Sequence, residues 1–168
     1  MKRAIRVAVS AIALAGAFSS AEAETVLILV RHGERVDESQ DADLNDAGRA
    51  RAQALAAVLK DAGIQAIYST DYRRTLETVK PTAESTSKLI EVYDGDNLEG
   101  FAKDLRARGR RALVVGHSDT TPELVKLLGG EAASPIAPDE YDRMYILTLS
   151  ADGKASTVLL RFPSGVQK

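Results

Sequence analysis

The sequence predicts a three-layer α/β/α domain with a mostly parallel central sheet and a C-terminal antiparallel hairpin. Three observations carry that expectation. Short continuous apolar runs rich in β-branched residues recur along the chain, segments of helical period separate them, and the last two runs flank Asp152-Gly153, a hairpin turn signal.

The elements follow in order. Thr25 to Val30 is a continuous apolar run of the kind found in strands buried on both faces. Ala52, Leu55, Leu59 and Ala62 share one helical face, and Gly63 stops that helix. Gln65 to Tyr68 is a second buried strand, after which Ser69 leads into a helix carrying Arg73 and Arg74 in its first turns. Leu89 to Val92 is a third strand of the same buried kind. Leu98, Phe101, Ala102 and Leu105 repeat the i, i+3, i+4, i+7 spacing of a third helix. Ala112 to Val115 is the fourth strand. Thr121-Pro122-Glu123 opens the fourth helix with a cap, a proline at the first helical position and an early acid, and Gly129-Gly130 closes it. Met144 to Leu149 and Ser156 to Phe162 form the hairpin.

Composition narrows the function classes. The chain has 168 residues, 45% of them hydrophobic and 27% charged, which suits one soluble globular domain. It has no cysteine, so a disulfide framework, a thiolate zinc site and a cysteine nucleophile are excluded. A formal charge of −2 offers no general attraction for nucleic acid or an anionic membrane. Residues 1–23 read as a signal peptide: Lys2, Arg3 and Arg6 precede an apolar run from Val7 to Phe18, and Ala21-Glu22-Ala23 is a cleavage site. That run is too short for a membrane span, which needs roughly 20 apolar residues. The expected products are an exported, periplasmic or secreted domain over residues 24–168, with no membrane span after cleavage.

Both histidines of the chain lie at strand ends, where open α/β sheets bind their ligands. Val30 leads into Arg31-His32-Gly33-Glu34, and Val115 leads into Gly116-His117-Ser118. With Arg73 and Arg74 following the second strand, the fold brings two imidazoles and two or three guanidiniums to one crevice.

Those residues resemble the signatures of the histidine phosphatase superfamily, in the branch that includes cofactor-dependent phosphoglycerate mutases. Arg31-His32-Gly33-Glu34 is similar to its first motif, and Leu44-Asn45-Asp46-Ala47-Gly48 to the segment before its first helix. Tyr68 to Thr78 is similar to its second-arginine motif, with Arg74 on the key position, and Val114 to Ser118 to its second histidine motif. The compact size resembles the phosphohistidine-phosphatase-like members. The resemblance implies a metal-independent phosphatase acting on a small phosphorylated substrate through a covalent phosphohistidine. His32 is then the nucleophile, His117 the second imidazole, and Arg31 and Arg74 the phosphate-binding guanidiniums. Chemistry agrees: an imidazole attacks phosphorus only unprotonated, and arginine forks match phosphoryl oxygens. Backbone N–H groups beyond Ser118 are expected to add anion contacts, and Arg73 is expected to be a surface charge.

An alkyl leaving group also needs a proton. The branch takes it from a glutamate after the second-arginine helix, and no residue between Leu89 and Gly100 matches it cleanly. Asp94, just past the third strand, is the candidate acid, and Asp119, two residues after His117, is its rival. Glu91 belongs to the strand and Glu99 to the following helix. No cofactor is expected, and no metal, since two histidines without cysteine do not fill a zinc site. Asp37, Glu38, Asp41 and Asp43 form an acidic loop that lacks the spacing of a calcium site, reads as a solvated lid and disfavours polyanionic substrates. Two other functions fit the same residues: a non-catalytic phosphoryl-ligand-binding pseudoenzyme and a phosphoglycerate-mutase-type phosphotransferase.

Overall fold

The computed structural model describes residues 24–163, so the signal peptide expected over residues 1–23 lies outside the described residues. The element order is β1 (Thr25–Arg31), α1 (Asp46–Leu59), β2 (Ala66–Ser69), α2 (Arg73–Thr86), β3 (Ile90–Val92), α3 (Leu98–Arg108), β4 (Ala112–Gly116), α4 (Thr120–Leu127), β5 (Arg143–Leu149) and β6 (Ala155–Arg161). The six strands form one sheet in the order β3-β2-β4-β1-β5-β6. β1, β4, β2 and β3 are mutually parallel, while β5 runs antiparallel to β1 and pairs with β6 as a hairpin. No helix among the described residues is long and apolar enough to cross a membrane.

Alternation along the strands explains the three layers. Leu27 and Leu29 of β1 point to the face covered by α3 and α4, where they meet Leu105, Leu124 and Val125. Ile28 and Val30 point the other way, onto Leu55 and Leu59 of α1 and Val79 of α2. β1 is therefore apolar at successive positions because it is covered on both sides. β4, with all five residues buried, is equally central.

β3 departs from expectation. It is the edge strand, Leu89 before it is 88% exposed and Val92 is 57% exposed. A run with three apolar residues in four, Leu89, Ile90 and Val92, looks the same at an edge as in the centre, so sequence alone overstated its burial. The start of α4 differs as well. The helix begins at Thr120, and Asp119 is its N-cap, its Oδ1 accepting from Thr120 N at 2.7 Å. A carboxylate at the positive end of a helix outcompetes the threonine cap expected at Thr121.

Register sets up the site. Arg31 of β1 pairs with Gly116 of β4, and Ser69 of β2 pairs with Val115. His32, Thr70 and His117 are thus the residues leaving three adjacent parallel strands at one sheet edge. His32 N extends the ladder to Gly116 O at 2.9 Å. A pair of glycines lets α1 approach this loop: a Cβ on Gly33 would meet Gly48 Cα at 2.9 Å, and one on Gly48 would overlap the Glu34 backbone. Asn45 caps α1 through Gly48 N at 2.9 Å, which fixes that approach.

Candidate active site

The imidazoles of His32 and His117 lie edge to face, with ring centroids 5.4 Å apart. His32 is 3% exposed. Its Nδ1–H donates to the Gly33 carbonyl at 2.7 Å, which leaves the Nε2 lone pair bare. Gly33 is itself held by its N–H to Thr78 Oγ1 of α2 at 3.0 Å. The helix therefore fixes the loop that fixes the tautomer.

His117 has the opposite tautomer. Arg74 Nη2 donates to its Nδ1 at 3.3 Å, so Nε2 carries the proton and gives it to Thr70 Oγ1 at 2.9 Å. The Thr70 hydroxyl passes its own proton to Thr75 Oγ1 at 3.1 Å. Burial pushes the His32 imidazole down to about 3, with Arg31, His117 and Arg74 adding to the fall and the Gly33 carbonyl opposing it. Burial likewise takes His117 down to about 4, helped by Arg74 and opposed by Asp119. Both rings are neutral at ordinary pH, as a nucleophile and a hydrogen-bonding partner require.

Two guanidiniums flank these rings. Arg31 Nη1 donates to the carbonyls of Ala137 and Glu140 at 2.8 and 2.9 Å, and its guanidinium lies 4.1 Å over the Tyr141 ring. Arg74 Nη1 donates to Gln40 O at 2.6 Å, with its guanidinium 4.4 Å over Tyr72. In both, the buried Nε has no hydrogen-bond partner. A buried, unsatisfied donor costs roughly 1–3 kcal/mol, so two of them beside a bare imidazole nitrogen describe a site made for an anion. The Nε–Nη2 edge of a guanidinium also suits bidentate contact.

A cavity of ≈ 640 Å³ opens from this cluster, lined among others by Tyr72, Arg74, Asp94, His117 and Asp119. Arg31 and His32, 5% and 3% exposed, do not form its open wall. Both candidate acids reach it. Asp94 Oδ1 accepts Asp96 N at 2.9 Å, and Asp119 Oδ1 is engaged in the α4 cap. The charge of Asp119 is felt at His117 and Arg74. Glu91 instead pairs with Arg108 at 2.7 Å, and Glu99 lies in the first turn of α3. Arg73 is a surface charge, its Nε 2.7 Å from Asp43.

Two of the backbone N–H groups beyond Ser118 that were expected to meet an anion are engaged within the protein. Thr120 N is taken by Asp119 Oδ1, and Thr121 N by the His117 carbonyl at 3.1 Å. The acidic loop is also less free than its composition implied. Asp41 Oδ1 accepts Arg73 N at 2.8 Å, and the Gln40 carbonyl holds Arg74, so the loop is pinned to the start of α2. Among the described residues no group of three or more histidine or acidic side chains is placed to hold a metal ion.

Sequence reasoning missed the segment that seats Arg31. Glu140 receives Arg143 Nη2 at 2.6 Å and Arg161 Nη1 at 2.6 Å, which holds its carboxyl down at about 2. Arg143 Nη2 also donates to Pro135 O at 3.3 Å. This clasp presents the Ala137 and Glu140 carbonyls to Arg31 and the Tyr141 ring to His32, 5.9 Å between centroids. The only sequence trace was a dense charged stretch before β5.

Neutral buried imidazoles make stability depend on pH. His32 binds its proton near 6.5 when unfolded but only near 3 when folded, so the penalty is absent above 6.5 and grows as pH falls toward 3. At ~1.4 kcal/mol per pH unit, acidification from pH 6.5 to 5 should cost about 2 kcal/mol from this group. Thermal melts should show the midpoint falling over that range, and His32→Gln should remove about half of the dependence, His117 supplying the rest. An equally steep profile in the variant would remove His32 as its source.

Comparison with known proteins finds similarity in both sequence and fold. The family model of the histidine phosphatase superfamily (branch 1) matches residues 27–101, from β1 into α3, and so contains Arg31, His32 and Arg74. The Arabidopsis thaliana phosphoglycerate mutase-like protein 4 is 35% identical over 88 residues, 48% of this chain and 38% of that relative. The chain thus matches well under half of that protein's length. In fold, the chain is similar to the protein histidine phosphatase SixA complexed with tungstate, with a TM-score of 0.66 at 18% identity, covering 83% of this chain and 97% of that one. It is also similar to a mycobacterial glucosyl-3-phosphoglycerate phosphatase, with a TM-score of 0.66 at 16% identity, covering 83% and 99%. Residues 27–101, with the first two motifs, thus match the family model in sequence, and the described domain is similar in fold to these solved structures.

Proposed function

We propose that the protein is an exported phosphatase that hydrolyses phosphomonoesters through a covalent phosphohistidine on His32. One observation carries this reading: the bare Nε2 of a neutral, buried His32 stands among guanidiniums whose buried Nε atoms lack partners. His32 Nε2 attacks phosphorus and the P–O bond to the leaving alcohol breaks. Asp94 hands its proton to that alkoxide. Water, deprotonated by the resulting carboxylate, then attacks phosphorus, the N–P bond breaks, and inorganic phosphate and free imidazole remain. Arg31, Arg74 and His117 hold the charged oxygens throughout, which is where most of the acceleration of phosphoryl transfer arises. No step calls on a metal.

The cavity wall carries Asp71, Asp94, Asp96 and Asp119. Besides the acid Asp94, the other three carboxylates of this wall favour monoesters of neutral or hydroxyl-rich alcohols over polyanions. Export is supported by the composition of residues 1–23 and is checked by finding Glu24 as the first residue of protein recovered outside the cytoplasm.

Hydrolysis of an aryl phosphate by the purified domain tests the activity. Phosphate should be released in the presence of chelators. His32→Ala should abolish release, and Arg74→Lys should be strongly impaired because an ammonium does not copy the fork. Binding of phosphate without any turnover would identify a pseudoenzyme instead. Activity lost on chelation and restored by zinc would overturn the mechanism.

A further inference from the structure

Tyr72 stands where a helix start favours another kind of residue. It is the N-cap of α2, with φ −129° and ψ 144°, and its side chain makes no cap hydrogen bond. The N-caps of α1, α3 and α4 are Asn45, Asn97 and Asp119, and each accepts a backbone N–H through its side chain. Short polar side chains satisfy the open N–H groups of a first turn, and a tyrosine does not. In α2 the N–H of Arg73 is met from outside, by Asp41 Oδ1 at 2.8 Å. Helix formation therefore does not account for an aromatic residue here.

Its surroundings do. The Tyr72 ring stands perpendicular to the His117 imidazole, with centroids 5.0 Å apart, and 4.4 Å from the Arg74 guanidinium. These two groups hold phosphoryl oxygens in the proposed reaction, and the half-buried ring lines the same cavity of ≈ 640 Å³. Arg31 and His32 are buried and do not line it, so an alcohol esterified to the phosphoryl group projects into the cavity, beside Tyr72. The rest of the wall narrows the alcohol. Val92, 57% exposed, adds apolar surface, and Asp71, Asp96 and Asp119 are acceptors for hydroxyl groups. Arg74 is the one lysine or arginine on this wall among the described residues, and the phosphoryl group takes that cation. Apolar surface ringed by acceptors suits a sugar, whose carbon face packs on an aromatic side chain while its hydroxyls donate to carboxylates. A three-carbon alcohol would leave most of the cavity to water.

We infer that Tyr72 determines specificity: its ring packs against a sugar ring in the alcohol half of the substrate and selects sugar monophosphates over acyclic alkyl phosphates. This rests on the phosphatase reading and names its substrate class. Protonation of the leaving alkoxide is the same for both kinds of alcohol, so the selection lies in binding.

Steady-state kinetics of the full chain on glucose-6-phosphate and glycerol-3-phosphate test this. Both are esters of primary alcohols, so the chemical step is matched and the ratio of their kcat/KM values reports the ring. The parent should prefer glucose-6-phosphate by about tenfold or more. Tyr72→Ser removes the aromatic ring and supplies the missing cap, and Tyr72→Phe keeps the ring. Tyr72→Ser should bring the ratio to within about twofold of unity, mainly by raising KM for the sugar, while Tyr72→Phe holds the parent ratio. Loosening of Arg74 or His117 lowers both substrates alike and leaves the ratio unmoved, so an unchanged ratio in Tyr72→Ser would overturn the inference. So would a parent with no preference for the sugar, or one that prefers ethanolamine phosphate to both, which would assign selection to the carboxylates. If Tyr72→Ser does not fold, Tyr72→Leu decides by the same ratio. If the parent turns over neither ester nor an aryl phosphate, the phosphatase reading fails by itself, and calorimetric affinities for the two esters give the ratio that decides Tyr72.

Discussion

Asp94→Asn should slow hydrolysis of alkyl phosphates by about 10²–10⁴-fold while leaving activated aryl phosphates much less affected. An electron-poor phenolate leaves without a proton, and an alkoxide does not. Removal of the true donor is therefore selective by leaving group. Asp94 is held by one oxygen in its own turn, with Oδ1 on Asp96 N, and lines the cavity beside Arg74 and His117. Asp119 is committed through Oδ1 to the cap of α4 and carries charge next to His117. Asp119→Asn should therefore lower both substrate classes modestly. The reverse pattern, with the selective loss in Asp119→Asn, transfers the role to Asp119. No selectivity in either variant would mean that the leaving group departs without help from these carboxylates.

The largest expected loss of stability lies at Glu34, two residues after His32. Glu34 and Arg51 form an ion pair at 2.6 Å, with side chains 19% and 10% exposed. Arg51 Nε donates to both carboxylate oxygens at 3.1 and 3.0 Å, and Nη1 donates to the Phe162 carbonyl at 3.1 Å. Breaking one side of a buried pair leaves an unpaired charge, so Glu34→Ala should destabilise the domain by about 3–5 kcal/mol. The double variant Glu34→Leu, Arg51→Met should cost less than the single change. Urea unfolding measures both. A cost below about 1 kcal/mol for Glu34→Ala would show the pair to be as dispensable as a surface one.

That result also separates two meanings of one motif. In the sequence, Glu34 stands beside Arg31 and His32 as part of a signature, and nothing distinguishes its task from theirs. In the fold it turns away to α1 and fastens the loop against it, while Arg31 and His32 face the site. The layers were legible because strand burial writes itself as continuous apolar runs and helix burial as a period of 3.6. The meeting of His32 with His117 was legible for the same reason, since both follow central parallel strands. β3 was overread because burial at an edge depends on neighbours that local pattern does not encode. The cap of α4 was displaced because Asp119 and Thr121 both have capping side chains. The clasp of Glu140 with Arg143 and Arg161 was hidden for another reason. Charged residues on irregular segments have no period, and only tertiary contact distinguishes a buried fork from a solvated one.

The covalent intermediate tests the central claim most directly. The protein is mixed with an aryl phosphate, quenched in denaturant at alkaline pH during turnover, digested and analysed by mass spectrometry. Phosphate should be found on His32, stable to base and lost in acid. Phosphorus NMR should assign it to Nε2, because Nδ1–H is committed to the Gly33 carbonyl. The label should be absent in His32→Ala. Turnover by the parent protein with no phosphate on His32, or undiminished turnover in His32→Ala, would contradict the mechanism.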